Sequence, residues 1–148
     1  MDENKIKHLE FLQNVIARLN SNSFQIKSWA ITIVAALLAL YVDSDSNTFY
    51  ILIAIFPTIL FWGSDAYCLR QERQFRCLYN DVAEITNIEN RVTIIPFEMS
   101  IKKYTKGDCQ YWRCFLSATI IGFYGLICIG LLIGYCLLQY PICRCCMC

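Results

Sequence analysis

The side chain best placed to do chemistry is Asp65, a carboxylate set deep within the apolar run 49–69. Such a charge is expensive near hydrocarbon unless it is paired or wetted. Lys27 stands at a matching depth in the apolar run 24–42, counted back from the polar connection between the two runs. Two helices rise equally per residue, so an ion pair between Lys27 and Asp65 is sterically reasonable. Two roles stay open for it: a lock holding two helices together near the inner interface, or an element of a gate or ion pathway.

Arg70, Arg73 and Arg76 recur every third residue, with Gln71, Glu72 and Gln74 interleaved. On a helix they share one face just below the membrane. One reading is anchoring to anionic lipid. The other needs a ring of subunits, in which these arginines with Lys102 and Lys103 form a basic vestibule for a phosphate-bearing ligand such as an oligonucleotide. Further along, Gly122, Gly125, Gly130 and Gly134 enrich the last apolar run, and Gly130 with Gly134 makes a G-x-x-x-G pair. Small residues at that spacing let helices approach closely, either in self-association or in packing against the first two spans.

The ten cysteines do not read as the framework of a small secreted domain, because Cys128 and Cys136 fall inside an apolar run and there serve as small hydrophobes. Cys143 with Cys146, and Cys145 with Cys148, have C-x-x-C spacing. No second pair follows at zinc-module spacing and His8 is the single histidine, so neither a metal nor a cofactor is expected. Disulfides on the outer face or unpatterned tail thiols fit better. With no Gly-rich phosphate loop and no nucleophile context, the sequence argues against an enzyme.

These residues must be positioned by a largely apolar chain: of 148 residues 57% are hydrophobic and 17% charged, with a mean hydropathy of +0.42. A span takes about 20 mostly apolar residues to cross about 30 Å of hydrocarbon. The runs 24–42, 49–69 and 115–140 meet or approach that length. The expectation is an all-α membrane protein with three transmembrane helices, an N-terminal amphipathic helix and a cytosolic helical extension between spans two and three. The chain opens Met1, Asp2, Glu3, Asn4 and turns apolar only at Trp29, too late for a secretory signal.

Residues 1–22 read as a cytosolic amphipathic helix, with Ile6, Leu9, Leu12, Val15, Ile16 and Leu19 on one face. Ser21, Asn22 and Ser23 interrupt it, and Ser23 suits the N-cap of a new helix from Phe24. The polar connection 43–48 makes the first two spans a tight antiparallel hairpin. Pro57 predicts a kink in span two. Phe75, Leu78, Tyr79, Val82 and Ile85 keep helical spacing, so span two should continue towards Asn90. The β-branched stretch 91–95 suggests a short extended segment within the cytosolic region 70–113. Asp108 could cap a last helix running through Tyr111 and Trp112 into span three, leaving 141–148 as a Cys-rich tail.

Lys5, Lys7, Arg18 and Lys27, then Arg70, Arg73 and Arg76, then Lys102, Lys103, Lys106 and Arg113 all fall on one side of this topology. That side should be the cytoplasm, with the tail outside. Trp29, Trp62, Tyr111 and Trp112 near the inner boundary, with Tyr41, Tyr50 and Tyr140 near the outer one, suit interfacial belts.

The string Lys7 to Gln13, then Asn22, Ser23, Phe24, Lys27 and Trp29, resembles the opening of a family of small bacterial membrane proteins. Phe61, Trp62, Asp65, Tyr67, Leu69, Gln71, Glu72, Arg73, Phe75, Arg76, Leu78 and Tyr79 are similar to their second motif. Such proteins resemble the membrane effectors of anti-phage operons, among them the SLATT-type group and the Hailong system effector, which are paired with nucleotidyltransferases or other sensors. The resemblance covers roughly residues 5 to 80. It implies a homo-oligomeric, ligand-gated channel or pore in the inner membrane, released or restrained by a nucleotide signal. A non-conducting anchor or adaptor that recruits a soluble partner is the alternative. No predicted span shows the polar stripe of an obvious pore, although a pore can also gate by dewetting.

Overall fold

A computed structural model describes residues 3–43, 49–86, 97–105 and 107–139. Two helices carry most of the chain. Helix α1 spans Glu3–Asp43, 41 residues, and α2 spans Phe49–Val82, 34 residues; at 1.5 Å per residue they are about 60 and about 50 Å long. Both exceed the about 30 Å of a hydrocarbon core, so each must project beyond the membrane segment that it contains.

The expected break at 21–23 is absent, and α1 runs through it without a cap at Ser23. Ser and Asn cost only about 0.5 kcal/mol each in a helix interior relative to Ala, while the Ser23 hydroxyl gains a partner across the hairpin, as shown below. The amphipathic segment and the first span are therefore one rigid element. Helix α2 passes through Pro57 but stops at Val82, short of Asn90. The amide of Ile85 donates to the carbonyl of Asn80 at 2.9 Å and that of Glu84 to Asp81 at 3.2 Å. Those two bonds, with Glu84 at φ 62°, form a Schellman cap. Residues 44–48, the stretch 91–95, Lys106 and the tail 141–148 lie outside the described residues.

Asp108 does not cap the last helix. It sits in the 3-10 turn Gly107–Cys109, which leads into the short α3, Tyr111–Phe115. The chain then breaks at Ser117, extended at ψ 138°. It resumes as Ala118–Ile120, a π-helical turn Ile121–Gly125 and Leu126–Gln139, which together form α4. The helix that holds the third candidate span thus starts at Ala118, after a break within the apolar run 115–140. A helix end inside a bundle needs substitute partners: the indole of Trp62 donates to the Phe115 carbonyl at 3.0 Å.

Three helices are long and apolar enough to cross a membrane, within Glu3–Tyr41, Phe49–Val82 and Ala118–Leu137. Their packing falls into two layers. In one, Ala30 and Ala66 meet Ile120 and Tyr124, flanked by Trp62, Tyr111 and Phe115; in the other, Val34, Ile51, Ala54 and Leu131 meet. The three alanines let the helices approach closely. The remaining faces of these helices expose Trp29, Ile31, Phe56, Leu60, Leu126, Ile129 and Leu137, an apolar coat suited to lipid. Inside the spans, the hydroxyls of Thr32, Thr58 and Ser64 each donate to a carbonyl one turn back, at 2.9, 2.8 and 3.0 Å, so each is satisfied within its own helix.

Candidate functional site

Where α1, α2 and α4 meet, four polar side chains gather in otherwise apolar surroundings. Asp65 is fully buried, and Lys27 Nζ lies 2.6 Å from its Oδ2. The ammonium also donates to Ser23 Oγ at 2.7 Å, and that hydroxyl donates to Asp65 Oδ1. Ser23 and Lys27 are one turn apart on α1, so both face α2. The contact at Oδ2 is a close ion pair at hydrogen-bond distance. Span three supplies the fourth member: the buried Tyr124 hydroxyl meets the Asp65 carboxylate as its polar partner, in a geometry short of an aligned hydrogen bond.

Tyr124 stands in the π-helical turn, where the widened backbone shifts helix register. Its ring extends a stack in which Trp62 lies over Phe115, with centroids 4.8 Å apart and planes 4° from parallel, and over Tyr124 at 6.1 Å. Trp62 is therefore partly buried against the core, whereas Trp29 and Trp112 are the exposed indoles, at 60% and 67%.

Below this cluster the arginine row divides by partner. Arg70 Nε donates to the Cys109 carbonyl at 3.1 Å. Arg73 donates to the Asp108 carbonyl at 3.0 Å and to Ser117 Oγ at 3.2 Å. Both guanidiniums thus hold the 107–109 turn and the start of α4 onto α2. Arg76 instead pairs with Glu72 one turn back at 2.7 Å, and its side chain is 57% exposed. Lys103 pairs with Glu98 at 3.2 Å, and Lys102 is exposed. The five basic residues do not converge within one chain. Arg73 and Arg76 share a cleft of about 500 Å³, lined also by Cys77, Asp108 and Cys109. Arg76 also borders a second cleft of about 440 Å³ against α1, with Gln13, Ile16, Ala17, Asn20, Tyr79 and Asn80.

The segment 97–105 is tied to α2 by polar contacts. Gln74 donates to the Tyr104 carbonyl at 2.7 Å, and the Tyr104 hydroxyl donates to Asp81 Oδ2 at 2.6 Å. Burial, then the Asp81 carboxylate, hold the Tyr104 phenol above its ordinary range. His8 is 2% exposed and stacks on Phe97 at 5.9 Å.

The glycines of α4 divide too. No described atom lies within 4 Å of where a Cβ would stand on Gly122, Gly130 or Gly134, and Gly125 meets only Ile121 of its own helix. Gly130 and Gly134 line an apolar groove of about 420 Å³ with Val34, Leu38, Tyr41 and Ile51. Among the described residues, no group of three or more His, Cys, Asp or Glu side chains is placed to hold a metal.

Sequence reasoning passed over Ser23 as a partner, and over Tyr124 and Ser117. Ser23 stands four residues before Lys27, which was a usable signal. A tyrosine in an apolar run was another, since a buried hydroxyl needs a partner. Ser117 gave none, because its role depends on Arg73 arriving from another helix. The fold and the cluster define the class: an all-α chain with three candidate membrane spans, of the multi-pass type. The chain matches no protein-family model, no curated protein and no solved structure.

Proposed function

We propose that this protein is the subunit of an oligomeric membrane effector, a ligand-gated pore whose state is set by the Lys27, Asp65, Ser23 and Tyr124 cluster. The observation that carries the reading is the buried Asp65 itself. An intramembrane carboxylate is retained at a cost and is a functional residue by default. Here it meets side chains of all three candidate spans, two of which, α1 and α2, continue as unbroken helices past their apolar stretches. Force or ligand acting on the far end of α1 or α2 reaches the charge pair directly.

The basic clusters favour an orientation with the N-terminus and the 70–113 region in the cytoplasm and the tail outside. The open groove at Gly130 and Gly134 suits a helix from a neighbouring subunit. Arg76, free of the turn that binds Arg70 and Arg73, is the arginine best able to meet a phosphate-bearing signal such as a nucleotide. A cognate nucleotidyltransferase and a role in anti-phage defence rest on the motif resemblance alone.

One observation favours a second reading, a non-conducting adaptor. The hydroxyls of Thr32, Thr58 and Ser64 are turned back onto their own helices, which leaves the spans without an evident polar lining. Ion flux from liposomes containing the purified protein, with subunit number measured by cross-linking, separates the two. Flux from an oligomer supports the pore, and tight liposomes with a bound soluble partner support the adaptor.

A further inference from the structure

We propose that Cys77 and Cys109 form an oxidisable dithiol, which a hydroperoxide entering the cleft between α2 and the 107–109 turn converts to a disulfide. The two Sγ atoms lie 3.8 Å apart, a gap that side-chain rotation has to close to the about 2.05 Å of a disulfide. Both residues line the open cleft of about 500 Å³ that Arg73, Arg76 and Asp108 complete, so a small oxidant can reach them from water. Nothing in the pore reading requires this pair.

The surroundings set the order of events. Cys77 is half-buried while Cys109 is buried, at 3% exposed, so the oxidant meets Cys77 first. Burial, and then the neighbouring Cys77, push the Cys109 thiol up to about 12, which keeps it protonated and unreactive as the first nucleophile. The guanidiniums of Arg73 and Arg76 stand on the same cleft wall, where their charge favours the departing hydroxide. Cys114, fully buried with its thiol donating to the Asp108 carbonyl at 3.5 Å, stands behind the turn.

In the first step the Cys77 thiolate attacks one oxygen of hydrogen peroxide. The O–O bond breaks, hydroxide leaves and takes a proton to become water, and Cys77 becomes a sulfenic acid. In the second step the Cys109 sulfur attacks the Cys77 sulfur. The S–O bond breaks, and the hydroxyl departs as water with the Cys109 proton. Two thiols and one peroxide give one disulfide and two waters; sulfur supplies the two electrons that reduce the peroxide. A reducing compartment keeps the pair as thiols at rest, and oxidation staples the turn to α2 at a point where Arg70 and Arg73 already hold it.

The test treats the folded full chain in detergent with hydrogen peroxide, blocks remaining thiols with N-ethylmaleimide before denaturation, and maps bridges by peptide mass spectrometry. Mapping separates this bridge from any formed by the tail thiols. The expected result is a Cys77 to Cys109 bridge that dithiothreitol reverses. In Cys109→Ser, Cys77 should instead accumulate as a sulfenic acid labelled by dimedone, with the label at least tenfold above that of the wild type. Recovery of both residues as maleimide adducts after peroxide overturns the proposal, as does Cys77 bridged to any other thiol or an unlabelled Cys77 in Cys109→Ser.

Discussion

Removing either half of the Lys27 and Asp65 pair should not cost the same. Lys27→Met leaves a fully buried carboxylate with only the Ser23 hydroxyl and the nearby Tyr124, and orphaning a buried charge costs about 3–5 kcal/mol. Asp65→Asn leaves an ammonium whose side chain is already 26% exposed. It keeps its bond to Ser23 at 2.7 Å and can extend along its own methylenes towards the interface. The loss is then nearer that of a hydrogen bond to a charged group, about 1.5–3 kcal/mol. The double variant Lys27→Met with Asp65→Leu removes both charges and should lie within about 1 kcal/mol of the wild type, because replacing a buried pair by apolar groups is often neutral. Unfolding in mixed micelles on titration with sodium dodecyl sulfate, followed by tryptophan fluorescence, measures all three. Equal losses for the two single variants, or a double variant as unstable as their sum, would refute the reasoning.

Four further outcomes follow from the same geometry. A Cβ on Gly134 would meet no described atom within 4 Å, so with Gly134→Ile the stability of the isolated subunit should change by less than about 1 kcal/mol while cross-linked oligomers disappear; persistent oligomers would remove this face from the interface. Arg76→Ala should lower affinity for a phosphate-bearing ligand about tenfold or more without altering proteolysis of the 97–109 region, whereas Arg73→Ala should raise that proteolysis, since its two bonds to the turn and to Ser117 are lost. Tyr104→Phe removes a donor from buried Asp81 and should cost about 1–3 kcal/mol in the same micelle assay. With its thiol at about 12, Cys109 should react with iodoacetamide far more slowly than Cys77 at pH 8, its rate rising about tenfold per pH unit until the thiolate predominates near pH 12; a rate that levels off near pH 9 would contradict the burial argument.

The spans were legible because run length against membrane thickness leaves little choice, and the depth match of Lys27 and Asp65 could be counted from the hairpin. What failed was punctuation. Ser21, Asn22 and Ser23 look like a helix boundary, yet their small propensity cost yields to a cross-helix bond that local sequence cannot show. The stop at Val82 carries no glycine: Glu84 takes the left-handed position at φ 62°, where the usual marker is Gly or Asn. The break at Ser117 is hidden inside a continuous apolar run, because Trp62 and Arg73, distant in sequence, supply its substitute partners. The arginine row was visible as a face. Its division was not, since the acceptors that engage Arg70 and Arg73 include backbone carbonyls, which have no sequence signature.

The measurement that bears most directly on a charge pair gating an oligomeric pore is single-channel current across a planar bilayer, comparing wild type with Asp65→Asn. Discrete conductance steps are predicted for the wild type, with unit conductance retained and open probability changed at least several-fold in the variant. A silent bilayer across voltages and candidate nucleotides, or identical open probability in the two proteins, would contradict it.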